Sequence, residues 1–178
     1  MTLSPMSFNG VKSLMFGFKG FDRYILTEDK VLEQFLQYMI GRYCSPTFYS
    51  YQVICVGGQG YVKRMMSLND QYKFYGPREN VISILDGDQS DQKQPKRVFC
   101  LPIKNVEDAL WQLYQEDAFP YRFDGGEELQ AKRLYEQLTR SRKLLSPEEV
   151  CRLLCDRHDN AMKQFALTLS GFLCRPGG

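Results

Sequence analysis

Short runs of β-branched and aromatic residues alternate along the chain with stretches whose apolar positions recur every three to four residues. Arg23 to Thr27 (RYILT) is the first such run. Glu28 to Tyr43 follows, with Val31, Leu32, Phe35, Leu36, Met39 and Ile40 at the spacing of a helix that buries one face. Cys44 to Ser50 contains Ser-Pro and reads as a loop. Tyr51 to Val56 (YQVICV) is a second strand ending at Gly57-Gly58, and a helix through Tyr61, Val62, Met65, Met66 and Leu68 comes next. Val81 to Leu85 (VISIL) is apolar enough to be buried on both faces of a parallel sheet, and it stops abruptly at Asp86-Gly87-Asp88. Gln89 to Pro95 is a polar loop, Arg97 to Leu101 (RVFCL) a fourth strand, and Val106 to Tyr114 a helix. This alternation predicts an α/β fold, Rossmann-like, with a mainly parallel four-stranded sheet flanked by helices.

Beyond Phe119-Pro120 the pattern changes to helix alone. Residues 127–142, 147–157 and 160–173 have helical spacing, and Ser146-Pro147-Glu148-Glu149 supplies an N-cap with proline at the first helical position. The expected organisation is an N-terminal arm over 1–20, irregular and apolar with Phe8, Phe16 and Phe18, a core over 21–120, and a helical tail over 121–178 packed on that core. With 178 residues one well-buried core is the natural size.

Composition narrows the function classes. The chain is 43% hydrophobic and 25% charged, which excludes a largely disordered protein. A net charge of only +2 means that any affinity for nucleic acid must come from local patches. Lys93, Lys96 and Arg97 form one such patch, and Lys132, Arg133, Arg140, Arg142 and Lys143 another on a late helix, although solvated surface is the plainer reading of both. No apolar run approaches the roughly 20 residues of a membrane span, and the first residues lack a basic region followed by an apolar one, so a cytoplasmic protein is expected. The six cysteines have no CxxC pair and read as reduced thiols. Cys151, Cys155 and His158 could share a helix face, but a fourth zinc ligand is not evident.

The candidate chemistry is acidic and sits at strand ends, where open parallel sheets bind their ligands. Glu28 and Asp29 follow the first strand, Asp86 and Asp88 the third, and Glu107 lies just past the fourth. The glycine between Asp86 and Asp88 removes bulk where the chain turns away, so both carboxylates can approach one site. Hard oxygen donors in this number suit Mg²⁺ or Mn²⁺. Gly57-Gly58-Gln59-Gly60 lacks the spacing of a nucleotide-binding loop and reads as a tight strand-to-helix turn.

Three of these segments together carry a family resemblance. ILTEDKVLEQFL resembles the first motif of Toprim domains, in which a glutamate closes the first strand, and ILDGDQ resembles their Asp-x-Asp motif. LPIKNVEDAL is similar to the further glutamate-bearing segment of the overcoming-lysogenization-defect (OLD) nucleases. The resemblance covers about residues 22–115. It implies a Toprim-like fold and a Mg²⁺- or Mn²⁺-dependent endonuclease that hydrolyses phosphodiester bonds in DNA or RNA by a two-metal mechanism. Glu28, Asp86, Asp88 and Glu107 would be the metal ligands, with Glu28 a ligand or the general base. Lys163, in NAMKQFALTL, would stabilise negative charge at the scissile phosphate, and Ser90 and Asp91 would assist. The implied partner is an ABC-type ATPase in an anti-phage defence system, with a homodimer as a further expectation. The chain departs from the family where it has Asp29 in place of a glycine, a residue that can be a ligand or can cap the following helix.

Two other readings compete. VISILDGDQS imitates the strand and Asp-x-Asp of haloacid-dehalogenase-type phosphatases, with Asp86 as nucleophile, yet that motif normally closes the first strand of its fold. A non-catalytic Toprim-fold subunit that only holds an ATPase is the other, and metal-dependent cleavage separates it from an enzyme.

Overall fold

The computed structural model describes residues 20–90, 95–116, 119, 131–141 and 143–174. Its strands are β1 (Arg23–Thr27), β2 (Tyr51–Cys55), β3 (Val81–Leu85) and β4 (Val98–Cys100). Its helices are α1 (Lys30–Tyr43), α2 (Gln59–Tyr72), α3 (Val106–Gln115), α4 (Ala131–Glu136, continuing as a π-turn over Gln137–Ser141), α5 (Pro147–Arg157) and α6 (Asp159–Leu173). The four strands form one parallel sheet in the order β2-β1-β3-β4. This is the α/β, Rossmann-like architecture with C-terminal helices that the strand and helix patterns predict.

Alternation along the strands divides the core in two. Ile25, Val53, Ile82 and Ile84 face α1, α3 and the late helices, whereas Leu26, Val81, Leu85 and Val98 face α2. All five residues of β3 are buried, as an inner strand covered on both faces requires. The crossover through α1 runs from β1 to β2, and the crossover through α2 returns past β1 to β3. The two run in opposite directions and cover opposite faces, so the connections part between the C-terminal ends of β1 and β3.

The late helices extend the α1 side of this core. Leu134 and Leu138, Val150 and Leu154, and Met162, Leu169 and Leu173 share one buried cluster with Phe35, Leu36 and Met39 of α1. Ser146 begins α5 with a full capping box: its hydroxyl accepts the Glu149 N–H, and Glu149 accepts the Ser146 N–H at 2.7 Å. Among the described residues no helix is long and apolar enough to cross a membrane. Apart from Gly20, the N-terminal arm of the sequence reading lies outside the described residues, as do Lys93, Asp91, Arg142 and the first part of the 127–142 helix.

Candidate active site

Glu28 follows β1 and Asp86 follows β3, so the two stand side by side where the crossovers part. Glu28 Oε1 accepts the backbone N–H of Asp86 at 3.2 Å. It also takes a backbone hydrogen bond from Gln59, the first residue of α2. One carboxylate is thus held by the ends of β1, β3 and α2 together. The glycine turn before α2, with Gly57 at φ 87°, serves this contact by aiming the Gln59 amide at Glu28.

Close backbone packing sets the Asp-Gly-Asp segment. A Cβ on Gly87 would lie 2.1 Å from the Ile103 carbonyl oxygen and 2.7 Å from that of Leu101, so only glycine lets the turn Gly87–Gln89 rest on the connection after β4. The Asp88 N–H donates to the Lys104 carbonyl at 3.1 Å and ties the two loops. Asn105 then caps α3, accepting the Asp108 N–H at 2.7 Å, and Glu107 falls in the first helical turn. This sequence of contacts brings the segment bearing Glu107 to the segment bearing Asp86 and Asp88. A cleft of about 400 Å³ is lined by Asp29, Asp86, Asn105, Glu107, Asp108, Ala131 and Lys132.

The carboxylates act on one another. Burial, and then the charges of Asp29, Glu28, Glu107 and Asp88, push the Asp86 carboxyl up to about 8. Glu28 is raised by burial and by Asp88 and Asp29, against the hydrogen bonds from Asp86 and Gln59. Glu107 is raised by burial and by Asp29, with Lys132 opposing. The Cys100 thiol at the end of β4 is raised by burial and then by Glu28, Asp88 and Asp86. Groups perturbed together by burial and by like charge in a cleft make a candidate functional site.

The donor chemistry fits a hard divalent ion: the cluster offers carboxylate oxygen alone, from Glu28, Asp86, Asp88, Glu107 and Asp29, and a cation would relieve the repulsion that raises Asp86. As the side chains stand, no group of three acidic, thiol or imidazole residues among the described ones is arranged to hold an ion.

The remaining sequence candidates divide. Asp29 is the N-cap of α1, with Oδ1 accepting the Leu32 N–H at 2.8 Å, and its charge still reaches Asp86. Lys163 is not brought to the cluster. It lies on α6 in an ion pair with Asp159 at 2.6 Å, and Asp159 in turn accepts the Tyr43 hydroxyl at the end of α1 remote from Asp29. A 14-residue helix, roughly 20 Å long, separates the two places. Ser90 is exposed at the end of the Gly87–Gln89 turn, and Asp91 lies outside the described residues. Cys151 and Cys155 are buried in the apolar core, their thiols pushed up to about 12 and about 11, chiefly by burial. With His158 they make no metal site among the described residues. The residues that sequence reasoning left as solvated surface are Lys132 and Arg140, which line the clefts beside Glu107.

No family model, no curated protein and no solved structure matches the chain. The reading of the site therefore stands on its geometry and on the sequence motifs.

Proposed function

We propose that the chain is a metal-dependent nuclease of the Toprim type, with Glu28, Asp86, Asp88 and Glu107 as the ligands of Mg²⁺ or Mn²⁺. The observation that most supports this is the gathering of Glu28, Asp86, Asp88 and Glu107 where the β1 and β3 connections part, with Glu28 accepting the Asp86 N–H at 3.2 Å and Asp86 and Glu107 lining one cleft. When bound there, two hard ions would activate a water and neutralise the leaving oxygen of a phosphodiester. Glu28, fixed by two backbone amides, serves as a ligand or as the base that takes the water's proton. Asp86 lies between Glu28 and the Glu107 loop and is the ligand best placed to be shared, with Asp88 and Glu107 outside it.

The Asp-x-Asp follows β3, the third strand in the chain, whereas the phosphatase motif normally closes the first strand of its fold, which argues against the phosphatase reading of Asp86. The resemblance of the three motifs to OLD nucleases makes an ABC-type ATPase the proposed partner, anti-phage defence the proposed setting and the cytoplasm the proposed location. Mixed DNA and RNA incubated with the protein in Mg²⁺ or Mn²⁺ should be cleaved by the wild type and left intact by Asp86→Ala. Cleavage by Asp86→Ala at the wild-type rate would place the chemistry elsewhere.

A further inference from the structure

Asp29, Glu107 and Lys132 line a second cleft of about 260 Å³ as well as the first, so the two adjoin. The second cleft is walled by α4 and its π-turn, which contribute Lys132, Tyr135, Glu136 and Arg140, with Lys30 on the α1 side.

The π-turn decides which side chains face this cleft. In an α-helix successive residues turn roughly 100°, so Arg140, eight residues on from Lys132, would point roughly 80° away from it. A π-turn takes up roughly one more residue, near 80° for each. Four α steps from Lys132 to Glu136 followed by four π steps to Arg140 bring Arg140 back close to the direction of Lys132. The Thr139 hydroxyl donates to the Tyr135 carbonyl at 2.8 Å and ties this turn to α4, and Leu134 and Leu138 anchor the other side of the segment in the core. A rigid element thus presents two cations to the cleft.

Several cations elsewhere are held in ion pairs, whereas Arg64 and Arg152, like Lys132 and Arg140, are exposed without one among the described residues but line neither cleft. Lys30, Arg42, Arg97, Lys104, Arg157 and Lys163 all form ion pairs at 2.6–2.7 Å. Lys132 and Arg140 are exposed and have no ion pair among the described residues, although Glu136 lies between them. With the carboxylates of the first cleft neutralised by bound cations, the balance of charge along the second is positive, which suits a polyanion entering from that side.

We propose that Lys132 and Arg140 form a phosphate-binding wall that holds the backbone of a nucleic acid on one flank of the scissile phosphodiester. They are positioning residues, and the role rests on the nuclease reading of the adjoining site. The wall contacts phosphates and not bases, so it serves DNA and RNA alike.

Fluorescently labelled DNA and RNA, single-stranded and duplex, would be titrated with the full chain in Ca²⁺ over a KCl series, and cleavage measured in parallel in Mg²⁺ or Mn²⁺. Each of Lys132→Gln and Arg140→Gln should flatten the log–log salt dependence by roughly 0.7 on single strands or roughly 0.9 on duplex. Each should raise KM several-fold and leave kcat near the wild-type value. Glu136→Lys, at an exposed position, should tighten binding and steepen the slope. An unchanged slope and KM in the double variant, with cleavage still dependent on Asp86, would overturn the wall and leave the nuclease standing. Absence of both binding and cleavage by the wild type would remove the nuclease reading itself, and the wall with it. A drop in kcat at unchanged salt slope would assign the two cations to the chemical step and also reject the wall.

Discussion

Replacing Asp86 by asparagine in metal-free buffer should stabilise the protein at neutral and alkaline pH. The carboxyl has an ordinary pKa near 3.8 and is pushed up to about 8 in the fold. A raised carboxyl favours the protonated folded state. Below about pH 4 the group is neutral in both folded and unfolded chains and has no effect. Between about pH 4 and pH 8 the unfolded chain ionises while the folded one does not, so stability falls with rising pH, by at most about 1.4 kcal/mol per unit. Above pH 8 the loss is complete.

The full interval corresponds to at most about 6 kcal/mol. Partial exposure of Asp86 and screening by salt reduce this to about 2–3 kcal/mol at pH 8. Asparagine does not ionise and escapes the loss, and no side-chain cap hydrogen bond of Asp86 is sacrificed. For a chain of this size the midpoint of thermal unfolding in EDTA should rise by about 4–12 °C at pH 8. At pH 4 the two proteins should melt together. Adding Mn²⁺ should close the gap, because a ligand at 100 times its Kd stabilises the wild type by about 2.7 kcal/mol and the variant has lost a ligand. Melting scanned by calorimetry from pH 4 to pH 9, with and without metal, reads both effects. A variant no more stable than wild type at pH 8 in EDTA, or one stabilised equally by Mn²⁺, would refute the shared acidic cluster.

Gly87→Ala puts a Cβ 2.1 Å from a backbone oxygen that no side-chain rotation can relieve, so it should cost about 1–3 kcal/mol or more in urea unfolding and weaken metal binding by parting the two loops. Asp29→Ala should cost about 1 kcal/mol through loss of the α1 cap. Asp29→Ser should restore most of that stability, and unequal metal affinity between wild type and Asp29→Ser, read by calorimetric titration, would add a ligand role to the cap. If the irregular apolar arm forms the interface of the homodimer expected from the sequence, removal of residues 1–18 should lower the mass read by light scattering, and an unchanged mass would reject the arm as the interface.

Much of the acidic end of the fold was legible because the chain marks it locally. RYILT and VISIL are short, apolar and cut off by acidic residues, which fixes both the strands and the side chains that follow them. The boundaries were blurred where side chains reorganise the backbone. Helical spacing runs back to Glu28, yet Asp29 is extended at φ −143° and caps a helix that starts at Lys30, which frees Glu28 to reach across to Asp86. The fourth strand starts at Val98 and not at Arg97, because Arg97 takes a left-handed φ of 73° with its guanidinium on Asp70.

What the sequence hid was registration between distant segments. Lys163 follows a motif-like stretch, but its position is decided by the packing of α6 on α1, which carries it to the far end of that helix. Lys132 and Arg140 lie in a segment with ordinary helical spacing, and five residues of π-turn leave no periodicity that separates them from an α-helix. Only the burial of Leu134 and Leu138 against the α3 side of the core determines that their opposite face overlooks Glu107. Each acidic residue of the site is marked by the strand it follows, whereas the cations beside Glu107 come from an element more than twenty residues further on that no strand marks. A search for such partners in similar chains must therefore follow which helix packs beside the acidic loop, and not the spacing of lysines and arginines along the sequence.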